Sequence, residues 1–294
     1  MIDQPLIQIS SEQLAAGIHP AGAQLFFLRD PTGRDLQWNG DPAIWKGRAP
    51  ILFPIVGALV GNQYRLSDRA YSLSRHGFAR DRLFSIVKAD PASVVLRLDW
   101  DEETHRVYPF RFQLDLRFTI AGACLHIVAT LRNLEDKETM PASFGFHPAF
   151  RWPLAFGEPR AAHYLTFDKD EPAPIRRLDS EGLLTPKEFA TPIQNRKLHL
   201  SDALFAADAM IFNNLVSRRL TYGTDQGPKI EIAFPDMPYL GVWTKPGAGF
   251  ICIEPWHGIA DPQGYSGDFR TKPGIVLLPP GAAKDFVMSI TLKT

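Results

Sequence analysis

Phe110-Arg111-Phe112-Gln113-Leu114-Asp115-Leu116-Arg117-Phe118-Thr119-Ile120 sets an apolar side chain at every even position and a polar one at every odd position. Alternation over this length marks a strand with one face on a core and the other toward water, the habit of antiparallel sheets. The pattern repeats on either side. Val94, Leu96, Leu98 and Trp100 share a face just before it, and Leu125, Ile127, Ala129 and Leu131 alternate after a turn at Ala121-Gly122. Near the end, Phe286, Met288, Ile290 and Leu292 do the same after Pro279-Pro280-Gly281. Strands at short spacing with Gly/Pro turns between them predict an all-β protein, a large antiparallel β-sandwich. The 25 prolines are spread evenly and leave little room for helices. Short helical turns are expected only near Asp41–Trp45 and Ser201–Ala207, and Pro172–Arg177 reads as a surface loop.

The 294 residues show no linker, composition break or internal repeat, so one domain spanning 1–294 is expected. A hydrophobic fraction of 45% allows a large core, and 22% charged residues is ordinary. Lys plus Arg and Asp plus Glu both number 32, and no basic stripe stands out. That balance argues against nucleic-acid and membrane-surface partners. Cys124 and Cys252 lie far apart, with neither a disulfide framework nor a metal-knuckle spacing. Met1-Ile2-Asp3-Gln4-Pro5 lacks the basic and apolar regions of a signal peptide. No apolar stretch approaches the roughly 20 residues that cross a bilayer. A soluble, cytoplasmic protein is expected.

Three segments carry ionisable groups in strand-like, aromatic surroundings. In Phe250-Ile251-Cys252-Ile253-Glu254-Pro255-Trp256 a single carboxylate interrupts an apolar run. If Ile251 and Ile253 face a core, Cys252 and Glu254 share the other face, and Pro255 ends the ladder. A carboxylate so placed is costly to ionise unless paired, and it suits a base. The competing reading, a solvated or salt-bridged Glu at a strand end, has about equal weight on spacing alone. In Ser143-Phe144-Gly145-Phe146-His147-Pro148, the two Phe share one face, and Gly145 and His147 the other. Gly145 leaves room for something to approach beside the imidazole. For His147 alone, a satisfied half-buried histidine is the commoner outcome, although histidine is the side chain best suited to donate a proton near neutrality. In Arg75-His76-Gly77-Phe78-Ala79-Arg80, a turn is expected after a strand at Tyr71–Leu73, with Arg80 free to pair with Asp81.

Two histidines and a carboxylate (His76, His147 and Glu254) could also hold zinc or iron, but no His-x-His or His-Glu-x-x-His spacing supports it. No Gly-x-Ser-x-Gly elbow and no Gly-rich phosphate loop occur, which argues against a serine hydrolase and a nucleotide-binding fold.

Taken in order, these segments resemble the aldose 1-epimerase (galactose mutarotase-like) superfamily, and within it the bacterial branch of LacX-type proteins. The resemblance runs over nearly the whole chain. It is carried by Ala49-Pro50-Ile51-Leu52-Phe53-Pro54-Ile55-Val56-Gly57, by His76-Gly77-Phe78-Ala79-Arg80 and by Phe144-Gly145-Phe146-His147-Pro148-Ala149-Phe150. Leu204-Phe205 with Asp208 and Ile211-Phe212 follow, then Tyr239-Leu240-Gly241-Val242-Trp243-Thr244-Lys245-Pro246 and the Glu254 segment running to Asp261.

The resemblance implies a β-supersandwich with a sugar site in a cleft and cofactor-free, metal-free interconversion of aldose anomers. By motif, Glu254 would take the proton of the anomeric hydroxyl and His147 would protonate the ring oxygen. His76 would hydrogen-bond near them, Asp208 would hold a ring hydroxyl, Trp243 would offer an aromatic wall, and Arg80 would lie toward an anionic end of the substrate. Many members carry Arg directly after the glycine of Phe-Pro-x-x-Gly, where this chain has Ala58. That change keeps two alternatives open, a non-catalytic sugar-binding protein and a hexose-6-phosphate 1-epimerase. A monomer or homodimer acting on a small sugar is expected. Acid/base ring opening with an ionised Glu254 and a protonated His147 predicts a bell-shaped pH profile with an acid limb and a limb near neutrality.

Overall fold

A computed structural model describes residues 5–294, so four of the five residues behind the signal-peptide expectation lie outside the described residues. Two antiparallel sheets dominate. The larger has nine strands, with Lys197–His199, Tyr164–Phe167, Arg219–Gly223, Lys229–Ala233 and Ala283–Lys293 in order from one edge. Cys124–Asn133, Phe112–Ala121, Ser93–Asp99 and Ser85–Asp90 complete it. The decisive alternating stretch is the strand Phe112–Ala121, whose even-numbered residues are buried. The second sheet runs Leu184–Phe189, Ile175–Leu178, Met210–Phe212, Tyr239–Trp243, Phe250–His257, Phe144–Phe146 and Ile51–Leu52, with Ala149–Arg151 also paired to Phe250–His257.

Apolar faces of the two sheets meet in one continuous core. Phe144 stacks on Phe286 with ring centroids 4.8 Å apart, and Phe167 meets Phe212 at 5.8 Å. These contacts join the sheets across the sandwich, as the alternation requires. Both cysteines are free thiols. Among the described residues no helix is long and apolar enough to cross a membrane.

Some local expectations hold and others change. Asp41–Trp45 forms a short turn, with the Ile44 and Trp45 amides donating to the Asp41 carbonyl. Ser201–Ala207 contains the 3-10 turn Asp202–Phe205. The α-helix Glu102–Val107 was not anticipated. It is capped by Asp101, whose carboxylate accepts the Thr104 amide while the Thr104 hydroxyl accepts the Asp101 amide. The loop expected at Pro172–Arg177 becomes a strand from Ile175, because Ile175 is buried and pairs with Phe189.

Pro255 does not end its strand, which continues to His257. It falls in the gap between the pairings Gly145↔Trp256 and Ala149↔Cys252, where its missing N–H costs no ladder bond on that side. Gly145 does leave room, but Trp256 takes it: a Cβ on Gly145 would stand 2.7 Å from the indole. A Cβ on Gly241, one strand over, would overlap the far edge of the same ring. Gly241→Ala is therefore expected to destabilise the protein by about 1–3 kcal/mol through overpacking, read as a lower midpoint in urea at unchanged m-value. An unchanged midpoint would mean that the indole moves aside freely.

Candidate active site

Strand alternation and register build the site. On Phe250–His257, Ile251 and Ile253 enter the main core, whereas Cys252 and Trp256 join separate clusters on the opposite face. Glu254 shares that face. Continuing the register from Gly145↔Trp256 to Ala149↔Cys252 sets His147 directly opposite Glu254. Gly241 lies across from Glu254 on the other flank and contributes no side chain. The result is an imidazole and a carboxyl in contact, His147 Nε2 to Glu254 Oε2 at 3.2 Å.

Both groups are nearly withdrawn from water, His147 at 8% and Glu254 at 2% exposure. Burial pushes the Glu254 carboxyl well above the ordinary carboxylate range. The charge of Asp208 adds to that rise, and the nearby Trp256 indole N–H opposes it. Burial also lowers His147 to about 3, with Arg80 pushing in the same direction. Over a wide pH range the pair thus holds a single proton.

His76 occupies the turn between Ser74 and Gly77 at φ 70°, a left-handed conformation that costs a non-glycine residue energy and that surrounding bonds must hold. Its amide donates to the Gly57 carbonyl at 2.9 Å, and its Nδ1 accepts the Gly57 amide at 3.1 Å. With Nδ1 an acceptor, the ring proton belongs on Nε2. Burial, then the charges of His147, Arg80 and Arg75, hold His76 well below the usual histidine value, so it is a neutral donor.

The six residues singled out from the sequence, His76, Arg80, His147, Asp208, Trp243 and Glu254, all line one cleft of about 240 Å³. Asp208 sits at φ 62° in a tight turn, and Arg177 donates to its carbonyl and to that of Leu204. Trp243 stands edge-on to His147 at 6.1 Å. Ala58 is buried, and its carbonyl accepts the Asp261 amide.

The sequence reading missed three contributors. Trp45 stacks on His147 at 5.2 Å and meets Trp243 edge-on. Arg75 also lines the cleft beside Arg80, its guanidinium donating to the Glu181 carbonyl at 3.0 Å. Arg177 acts from beneath Asp208. Trp45 sits in a turn whose local pattern gives no hint that it folds over the sheet. Arg75, by contrast, directly precedes His76 and was open to notice.

The site is thus a buried carboxyl–imidazole pair in an aromatic-walled cleft on an antiparallel sandwich. The aldose 1-epimerase family description matches residues 5–265, and the chain belongs to that family. The chromosomal LacX protein of Lactococcus lactis is 32% identical over 283 residues, covering 93% of this chain and 95% of that protein. A crystal structure of a galactose mutarotase related enzyme from Lactobacillus acidophilus superposes with a TM-score of 0.91 at 29% identity, covering 99% and 98% of the two chains. A galactose mutarotase-like protein from Lactobacillus casei gives 0.90 at 29% identity, covering 98% and 100%.

The raised Glu254 value has a consequence for stability. A carboxyl whose pKa is raised by folding stabilises the fold fully below its unfolded value, and that contribution is lost as pH rises through the folded value. Glu254→Gln removes the ionisation, so its melting temperature relative to the parent is expected to climb as pH increases above 4.5. Calorimetry at pH 5 and pH 8 reads the difference; a gap that shrinks with pH would contradict a desolvated carboxyl.

Proposed function

We propose that this protein is an aldose 1-epimerase, interconverting the α and β anomers of an aldose by acid/base ring opening. The observation that carries the reading is the buried 3.2 Å contact between His147 and Glu254 at the base of the cleft. The anomeric hydroxyl and the ring oxygen are both attached to C1. An acid and a base that serve them must therefore stand side by side, as this pair does.

In the proposed cycle, Glu254 takes the proton from O1 while His147 gives one to O5, and the C1–O5 bond breaks. The aldehyde turns about C1–C2, and closure with the roles reversed yields the other anomer. The pair holds one proton at the start and one at the end. The assigned roles need that proton on His147 when the ring opens, and the 3.2 Å contact is the path for it. In this reading His76 Nε2–H donates to a substrate oxygen, Asp208 accepts from a ring hydroxyl, and Trp45 and Trp243 cover the apolar face of a pyranose.

A second reading, a hexose-6-phosphate 1-epimerase, draws on Arg75 and Arg80 together. Two arginines lining one cleft suit an anionic substituent better than the single one foreseen from the sequence. Anomer exchange by NMR on equilibrated glucose, galactose and glucose 6-phosphate separates the readings. Glu254→Gln and His147→Ala are each expected to slow exchange by roughly 10²–10⁴-fold. Arg75→Met is expected to raise KM for the phosphorylated sugar alone. Undiminished exchange in either pair variant would remove the mechanism, and no exchange by a folded protein that still binds sugar would favour a binding role.

Burial of the pair also alters the expected pH profile. The limb near neutrality foreseen from an ordinary histidine disappears. Activity should run level through 6.5, fall on the acid side as the pair gains a second proton near His147's value of about 3, and fall on the alkaline side as Glu254 loses its proton. A titration of kcat/KM centred near 6.5 would show that desolvation does not govern the pair.

A further inference from the structure

Cys252 has no part in ring opening and does not line the cleft, yet it lies directly beside the His147–Glu254 pair. The strand places it two residues before Glu254 on the same face, fully buried and not disulfide-bonded. One donor atom each from His147, Cys252 and Glu254 lies within 4.8 Å of the other two. His76, the second histidine of the metal set considered from sequence, is not part of this group, and its Nδ1 accepts the Gly57 amide.

We propose that His147, Cys252 and Glu254 form a binding site for a thiophilic divalent cation of the zinc or cadmium class, and that occupancy blocks the acid/base pair. Imidazole, thiolate and carboxylate are the donors that borderline-soft ions take, and they exclude magnesium and calcium as good fits. Bonds of about 2.0–2.3 Å place tetrahedral ligands roughly 3.3–3.8 Å apart. The His147–Glu254 contact of 3.2 Å is within about 0.1 Å of that spacing. The widest pair has to close by only about 1 Å, a side-chain adjustment. The fourth position opens on the cleft, where water or a sugar hydroxyl would complete the shell.

Charge balance favours the exchange. The thiol proton and the proton shared by His147 and Glu254 leave as one divalent cation enters, so two protons go out for two positive charges in. The occupied site contains a cation, a thiolate, a carboxylate and a neutral imidazole, with no net charge to bury. Burial that keeps the thiol protonated in the free protein is thereby answered by the metal. The ion inhibits because it consumes both proton-transfer groups at once.

Only the inhibition rests on the proposed epimerase activity; binding is read separately. Chelator-treated protein titrated with cadmium chloride should develop a near-ultraviolet thiolate-to-cadmium absorption saturating at one equivalent. Cys252→Ser should abolish it, and Glu254→Gln, which keeps the thiol, should weaken binding at least about tenfold. Cys124→Ser should leave it intact, since Cys124 lies on the other sheet beside Thr291. In parallel, zinc chloride should suppress anomer exchange and excess chelator should restore it. No absorption band, or one that survives Cys252→Ser, overturns the site. A band with exchange unaffected or accelerated by zinc overturns the blockade. If chelator-treated protein shows no exchange with any sugar, the epimerase reading fails, and the cadmium titration still decides the site.

Discussion

The register between the 144–151 segment and the strand Phe250–His257 governs the site. It puts His147 across from Glu254, and it fixes every neighbour in the adjoining rows. In one row Cys252 lies between Ala149 and Trp243; in the next but one, Trp256 lies between Gly145 and Tyr239. Gly145 and Gly241 on the flanking strands leave the space that the Trp256 indole fills. A slip of one residue would turn Glu254 into the core and bring Ile253 to the cleft. The apolar core on the opposite face is what forbids that slip. The geometry of the site is here a by-product of packing.

Water exclusion is the second constraint, and it acts on the protons. Trp45 and Trp243 close over His147, and the sheet lies beneath Glu254. The same desolvation that raises the carboxyl and lowers the imidazole leaves one proton between them, the number that a reversible acid/base cycle needs. Such a site works against stability, since a buried ionisable group resists charging. Supporting bonds are correspondingly dense. The Gly57–Val60 loop that holds His76 is tied to Asp261, which accepts the Val60 amide at 3.0 Å and pairs with the fully buried Lys272 at 2.5 Å. His76 keeps its left-handed backbone through its bonds to Gly57, and Asp208 keeps its own through Arg177 and the Phe205 carbonyl.

Much of this was legible in the chain. Alternation through Phe112–Ala121 and Ala283–Lys293 stated the sheet and its faces, because a half-buried strand has to repeat every two residues. The same rule put Cys252 with Glu254 and His147 with Gly145, and the motif blocks nominated the six residues that line the cleft. Local composition misled in places where a distant partner decided the outcome. Ile175 drew a Pro/Arg-rich segment into the sheet, and a gap in the neighbouring strand let Pro255 remain in its own.

The sequence by itself therefore determined the β architecture and the face on which each ionisable group stands, which follow from periodicity, and it nominated the acid/base candidates through the motifs that carry the family resemblance. Only the tertiary structure decided that His147 touches Glu254, that Trp45 and Arg75 join them and that Cys252 replaces His76 beside the pair. Those are distances between segments up to about two hundred residues apart in the chain, set by register and burial, and no local pattern contains them.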